Sequence, residues 1–361
     1  QKMLEKRASR HLRQKAGPYK IPVVVHVIHN GEPEGTGTNI SDSQILSQMS
    51  VLNKDFRRLN ADAVNTPSVF TPVAGSMDIE FVLAKQDPEG LPSDGIVRVA
   101  GSKSGWTSSD NYELKSQSYW PSDRYLNLWV CDLVDNLVGY AQLPESTTLS
   151  GLEQSSNNAL TDGVVIWYKS FGSSDDGPFS LDPNFNKGRT ATHEVGHYFG
   201  LRHIWGDDSG DCNGTDYVND TPNQANRTLG CPAHPQKSCN DITSMFQNFL
   251  DYTDDECMNL FTKGQVERMS TVIENSPRRQ SLLTSPGLQA PVVVANDLGL
   301  RTVISPQPHA CSTTITPQVE VRNYGNNTIT SARIQISVNG SVVDVQDFNH
   351  SLLPLQLAEL S

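Results

Sequence analysis

The string "HEVGHYFGLRH", residues 193 to 203, constrains this chain more than any other stretch. On an α-helix, His193 and His197 stand one turn apart on the same face, so both imidazoles reach a single cation. Glu194 is rotated just off that line and is set to hold a water instead of binding the ion itself. Gly200 follows, where a helix can stop and its chain reverse. His203 comes after that turn, in place to supply a third ligand. Three neutral imidazoles leave zinc one open position, the arrangement of a catalytic site and not of a closed structural one. A purely structural reading also exists, because Val195, Phe199 and Leu201 would pack such a helix into a core. That reading explains neither the glycine nor the third histidine at the required distance.

The rest of the chain suits a globular protein with bound cations. Its 28 Lys and Arg against 40 Asp and Glu give a net charge of −12, which argues against nucleic-acid binding. The longest apolar run, "IPVVVHVI", is strand-sized and far short of a membrane span. Cys212, Cys231, Cys239 and Cys257 cluster in a loop-like stretch, while Cys131 and Cys311 stand apart. With no CxxC pair, the cluster reads as two disulfides and so points to an oxidising compartment. Four cysteines allow three connectivities, and spacing alone selects none of them.

Periodicity lays out the order of elements. "YKIPVVVHVIHN" predicts a buried strand over 20–30. Ile45, Met49, Leu52, Phe56 and Leu59 predict a helix opened by a capping box of Ser41 and Gln44. Strand-like runs follow at 78–84, 125–133, 138–144 and 163–171, and the histidine-rich helix comes after the last. Thr262 and Gln265 form a second capping box, ahead of a helix bearing Val266, Met269 and Ile273. The segment "NSPRRQSLLTSPGLQAP" reads as a linker. Beyond it, short alternating strands split by Asn-Gly turns suggest a β-sandwich of immunoglobulin-like texture. The remaining chain is shorter than the ~100 residues typical of that fold, so the expectation is that it ends inside the module. The domain reading is 1–18 a basic segment or prosegment remnant, 19–276 a catalytic domain, 277–291 a linker and 292–361 the β-module.

From "IPVVVHVI" through "NISDSQILSQMSVLNKDFRRLNAD", "YLNLWVCDL", "VGYAQLP" and "HEVGHYFGLRH" to "NFLDYTDDECMNLFTKGQ", the chain resembles the metzincin metalloendopeptidases. Within them it is similar to the pappalysins, in particular the compact microbial, ulilysin-like members. The likeness covers about residues 19 to 275 and leaves the C-terminal module outside. It implies an α+β fold: a twisted, mixed five-stranded sheet with a backing helix and an active-site helix, above an irregular lower subdomain.

The resemblance also assigns roles. His193, His197 and His203 are the zinc ligands, Glu194 the base that activates the zinc-held water, and Tyr252 the donor to the developing oxyanion. Gly139, Tyr140 and Ala141 belong to the edge strand that pairs with an extended peptide substrate. Asp255 lies at the base of the pocket for the residue after the scissile bond, which implies cleavage before Arg, then Lys. Structural calcium is implied near "WGDDSGDCNGTDYVNDTP", with Asp207, Asp216 and Asp220 as its ligands. The disulfides implied are Cys212–Cys239 and Cys231–Cys257, with Cys131 and Cys311 unpaired. One departure stands out: Leu250 occupies the place where metzincins carry the methionine beneath the zinc. The volumes are close, so packing is expected to survive at a cost below ~1.5 kcal/mol. The expected protein is thus a secreted zinc endopeptidase acting on proteins or peptides, with an inhibitory prosegment upstream. The competing reading is a secreted adhesive or binding protein whose metal site is structural; an intact Glu194 argues against it.

Overall fold

The β-branched run near the N-terminus forms β1 (Tyr19–His29), buried along nearly its whole length, as a strand covered on both faces must be. In this computed structural model, residues 17–145, 149–153, 155–208, 210, 212–306, 316–349 and 351–361 are described. Most of the basic N-terminal segment, and Cys311, lie outside them. The chain divides into two units, one ending at Gln289 and the other running from Ala290 to Ser361.

In the first unit β1 is followed by α1 (Asp42–Phe56), β2 (Ile79–Leu83), β3 (Ile96–Ala100) and α2 (Asn111–Ser116). Next come β4 (Leu126–Cys131), β5 (Gly139–Ala141), β6 (Val164–Trp167) and α3 (Arg189–Tyr198), then α4 (Lys263–Asn275) and α5 (Pro277–Ser281). The strands make one mixed sheet in the order β2–β1–β4–β6–β5, with β3 also on β1. Successive halves of β1 pair with different neighbours: Tyr19 lies opposite Ile79 of β2, and Val25 opposite Ile96 of β3. The sheet therefore has six strands where five were expected. The extra one, "IVRVA", is a short apolar run interrupted by Arg98 and is only partly buried along its length. β5 is the antiparallel edge, with Tyr140 opposite Val165.

Ser41 caps α1 by accepting from the Gln44 backbone N–H. The reciprocal half of the expected capping box is absent, because the Gln44 amide donates to the carbonyls of Tyr168 and Phe171 instead. Leu59 falls beyond the helix and is exposed. Ile45, Leu52 and Phe56 of α1 pack with Val23 and Val25 of β1, Leu128 of β4, and Val195 and Phe199 around α3. Each such side chain, fully buried, stabilises the fold by about 1.5–3 kcal/mol. The other sheet face buries Trp106, Trp129 and Leu133 with the unpaired thiol of Cys131.

Below the sheet, the long stretch between α3 and α4 holds few regular elements and is cross-linked by Cys212–Cys239 and Cys231–Cys257. Their sequence separations of 27 and 26 residues correspond to about 3.5 kcal/mol each in the chain-entropy account. At α4 the capping box of Thr262 and Gln265 has both halves, and Gln265 also exchanges hydrogen bonds with Asn248. The second unit contains β7 (Leu298–Ser305), β8 (Gln318–Asn323), β9 (Ala332–Val338), β10 (Ser341–Phe348) and β11 (Leu357–Leu360). They form an antiparallel sheet β11–β8–β7 and a hairpin β9–β10, with Val319, Val321, Leu352 and Leu360 at the core.

Candidate active site

Helix α3 is anchored before it begins. Gly188, at φ +72°, is its N-cap residue, and a Cβ there would lie 2.9 Å from the Gln48 amide oxygen. The Asp255 carboxylate accepts from the N–H groups of Lys187 at 2.8 Å and Arg189 at 3.1 Å, which satisfies donors that a helix start leaves open. The Arg189 guanidinium pairs with Asp55 of α1 and with Asp62, and Thr192 donates to Asp55 at 2.7 Å. The helix ends at Gly200, φ +87°, where the Leu201 N–H returns to the Gly196 carbonyl at 3.0 Å. Arg268 of α4 holds that turn by donating to the Gly200 carbonyl at 2.7 Å.

The turn brings His203 back onto the helical pair. His197 Nε2 lies 3.0 Å from His193 Nε2 and 3.1 Å from His203 Nε2. Each ring's other nitrogen has its own acceptor: Nδ1 of His193 faces the Phe249 carbonyl at 2.7 Å, and that of His197 the Leu201 carbonyl at 2.9 Å. Nδ1 of His203 faces Asp207 Oδ1 at 2.7 Å. With the protons on the three Nδ1 atoms, the Nε2 atoms present only lone pairs to one another. Three lone pairs converging this closely repel unless a cation lies between them. Tetrahedral zinc, bonded to nitrogen at about 2.0–2.1 Å, needs ligand nitrogens roughly 3.3 Å apart, so the cluster fits it. Among the described residues it is the one group of three or more such side chains whose ligand atoms converge.

Burial and the neighbouring imidazoles hold His193 well below its ordinary range, and the same causes lower His197 to about 3; both rings are thus neutral, as ligands must be. Glu194 is buried beside them, and burial raises its carboxyl to about 8. The edge strand presses on it: a Cβ at Gly139 would lie 2.9 Å from Glu194 Cγ. The Tyr252 ring sits 5.5 Å from that of His193 and 4.9 Å from that of His203. Burial first, then the Glu194 carboxylate, raises its phenol to about 12. Leu250 is fully buried under the helix, where a Cβ at Gly196 would come 3.1 Å from its Cδ2. Asp251 pins the turn between them to the loop before it, accepting from Gln224 and from the Thr228 N–H.

These groups surround a cleft of about 440 Å³ lined by Gly139, His193, Glu194, Arg227, Tyr252 and Asp255. Asp255 is almost inaccessible, and burial raises its carboxyl to about 7. Tyr140 and Ala141 share the edge strand with Gly139 but do not line this cleft.

Among the described residues, Asp207, Asp216 and Asp220 form no converging group of side-chain ligands. Asp207 is engaged with His203 and Arg202. Asp216 is buried on the Thr221 hydroxyl and the Val218 N–H, while Asp220 accepts from the Gly264 N–H. The part Asp207 plays was missed in sequence; its position four residues after His203 was the available signal. The backbone acceptors at Phe249 and Leu201 left no signal in residue identity at all.

Comparison with known proteins agrees with this geometry. The peptidase family model described as pregnancy-associated plasma protein-A matches residues 110–274. An extracellular metalloprotease of Verticillium alfalfae is 30% identical over 259 residues, covering 69% of this chain and 74% of that protein. One of Pyricularia oryzae is 31% identical over 256 residues, covering 70% and 74%. Among solved structures, Tannerella forsythia mature mirolysin in complex with a cleaved peptide is 46% identical, with a TM-score of 0.65 over 74% of this chain and 97% of that one. A promirolysin mutant from the same organism is 45% identical, with a TM-score of 0.66 over 78% and 89%. Identity at this level across most of both chains is more than a shared fold, and the chain belongs to the pappalysin family of metzincin zinc metalloendopeptidases.

Proposed function

We propose that Glu194 serves this endopeptidase as both base and acid, and that cleavage falls preferentially before arginine, then lysine. The observation that carries the first part is the buried Glu194 carboxylate next to three converging imidazole lone pairs. When bound to His193, His197 and His203, zinc polarises the scissile carbonyl and lowers the pKa of a water toward ~7. Glu194 takes the proton of the attacking water and returns it to the leaving amine. Tyr252 keeps its phenolic proton and donates it in a hydrogen bond to the oxyanion as that charge develops. The free edge of β5 offers main-chain groups to an extended peptide.

The specificity reading rests on Asp255 lining the cleft beside Glu194. Arg189 is the nearest built-in cation, and Asp55 and Asp62 already hold it. Asp255 itself is in no ion pair among the described residues, which leaves it to an incoming guanidinium. The similarity to extracellular metalloproteases supports a secreted enzyme, and the promirolysin neighbour supports a prosegment upstream. A binding protein with a merely structural metal has no use for a buried base at this position.

The test is Glu194→Ala. Zinc content and thermal unfolding should be retained, while cleavage of a denatured protein falls by roughly 10²–10⁴-fold. Activity within a fewfold of the parent would refute the role. Mass spectrometry of the parent's products should show Arg and Lys enriched after the cut, and a flat profile would remove the specificity proposal.

A further inference from the structure

Behind the edge strand lies a second hollow of about 330 Å³, lined by Asn111, Lys115, Tyr140, Gln142 and Ser155 among others. Alternation along β5 separates it from the catalytic cleft: Gly139 faces Glu194, whereas Tyr140 packs with the cluster around Trp129 on the other face of the sheet. Lys115 is completely buried. Its ammonium donates to the Thr161 carbonyl at 2.6 Å and otherwise sits 5.0 Å from the Trp129 ring centre and 5.2 Å from that of Tyr140. An ammonium carries three donors, and the described residues supply an acceptor for one. The carboxylate whose charge reaches it, Asp162, is already bound by Arg278 and Arg279. Burial accordingly lowers Lys115 to about 7.

Three more buried polar atoms around the hollow lack a partner among the described residues: the Tyr140 and Ser155 hydroxyls and the Asn111 side-chain oxygen. Each such group costs stability unless something completes it. All four residues line this one hollow, and of their open groups only the Asn111 oxygen cannot donate. We propose that this hollow is a carboxylate-binding site, in which Lys115 supplies the charge and Tyr140 and Ser155 the neutral donors. The carboxylate has two conceivable sources, a small free acid or an acidic side chain of the substrate. A peptide paired with β5 projects alternate side chains toward the Tyr140 face; that second source rests on the edge-strand reading above, and the site itself does not.

Calorimetric titration of sodium acetate into the full chain, with sodium chloride as control, tests the site without catalysis. One saturable acetate site that chloride does not reproduce is expected. Lys115→Met should weaken it at least tenfold, and Ser155→Ala, which removes a hydroxyl only, by a fewfold. Peptide substrates carrying Glu, Gln or Ala at each position on the β5 side of the cut then distinguish the sources. A preference for Glu at one position in the parent, lost in Lys115→Met, identifies the substrate side chain; a flat series alongside acetate binding identifies a free acid. No saturable acetate binding together with a flat peptide series means a hollow filled by water, and overturns the proposal. So does acetate binding that is equal in both variants and the parent. Failure of the Glu194 mechanism would leave the calorimetric result unaffected.

Discussion

Removing Asp207 should weaken zinc binding by about 10- to 100-fold, the range for groups that orient a ligating histidine through its other nitrogen. In free energy this is roughly 1.4–2.7 kcal/mol. The three ligands are not held alike. His193 and His197 stand on a helix and donate to backbone carbonyls, which no substitution removes. His203 lies beyond the Gly200 turn, and its orientation depends on Asp207 at 2.7 Å and on stacking against Trp205 at 4.2 Å. Asp207 also adopts φ +58°. Alanine there adds a backbone penalty of about 1 kcal/mol, while asparagine tolerates that conformation. Asp207→Asn therefore isolates the ligand effect and should sit at the low end of the range, because an acceptor oxygen remains. Asp207→Ala should sit at the high end and also lower the stability of the zinc-free protein. Competition against a chromophoric zinc chelator measures the first quantity and denaturant unfolding of the metal-free protein the second. Zinc affinity within twofold of the parent for Asp207→Ala would refute the reasoning, and a loss of calcium binding in its place would return Asp207 to the calcium assignment.

Asp255→Asn keeps an acceptor for the Lys187 and Arg189 N–H groups, so the helix start should survive while kcat/KM for Arg-directed peptides falls at least tenfold relative to peptides with an apolar residue there. Burial raises the Asp255 carboxyl to about 7, above its unfolded value of about 3.9, so its ionisation opposes folding. Its contribution to stability is fully present below about pH 4 and is lost as pH rises toward 7; unfolding of Asp255→Asn across that window should show a shallower decline than the parent. Leu250→Met, at a fully buried position against Gly196, should change unfolding free energy by less than ~1.5 kcal/mol, and a larger loss would show that this floor is shaped for leucine. Arg279→Met strands the buried Asp162 carboxylate, which Arg279 holds at 2.7 Å, and should cost about 3–5 kcal/mol in denaturant unfolding; a cost below ~1 kcal/mol would mean that Arg278 alone suffices.

Much of the fold was legible because its signals are local. β1 announces itself by an unbroken apolar run, and Thr262 and Gln265 open α4 by contacts three residues apart. The zinc cluster belongs to the same class, since one helix and one turn hold all three histidines. What escaped depends on partners distant in sequence. Gln44 caps nothing because carbonyls more than a hundred residues away claim its amide. β3 is only five residues long, and what makes it a strand is its pairing with the far half of β1. Asp207, which the resemblance implied as a calcium ligand, meets His203 because the turn at Gly200 brings the two together. Lys115 gave no sign at all, since a lysine in a short helix is ordinarily a solvated one.

The contact between Gly139 and Glu194 also acts as a gauge of assembly. The edge strand can lie where it does only because one position has no side chain: a Cβ at 139 would also meet Thr190 and the Val165 carbonyl at 3.1 Å. Slipping β5 by one residue along β6 would drive Tyr140 or Val138 into that slot and turn every side chain of the strand to the wrong face. A mispaired edge therefore cannot close over the glutamate. The register that pairs the last strand is thus the same one that lets it close over the glutamate.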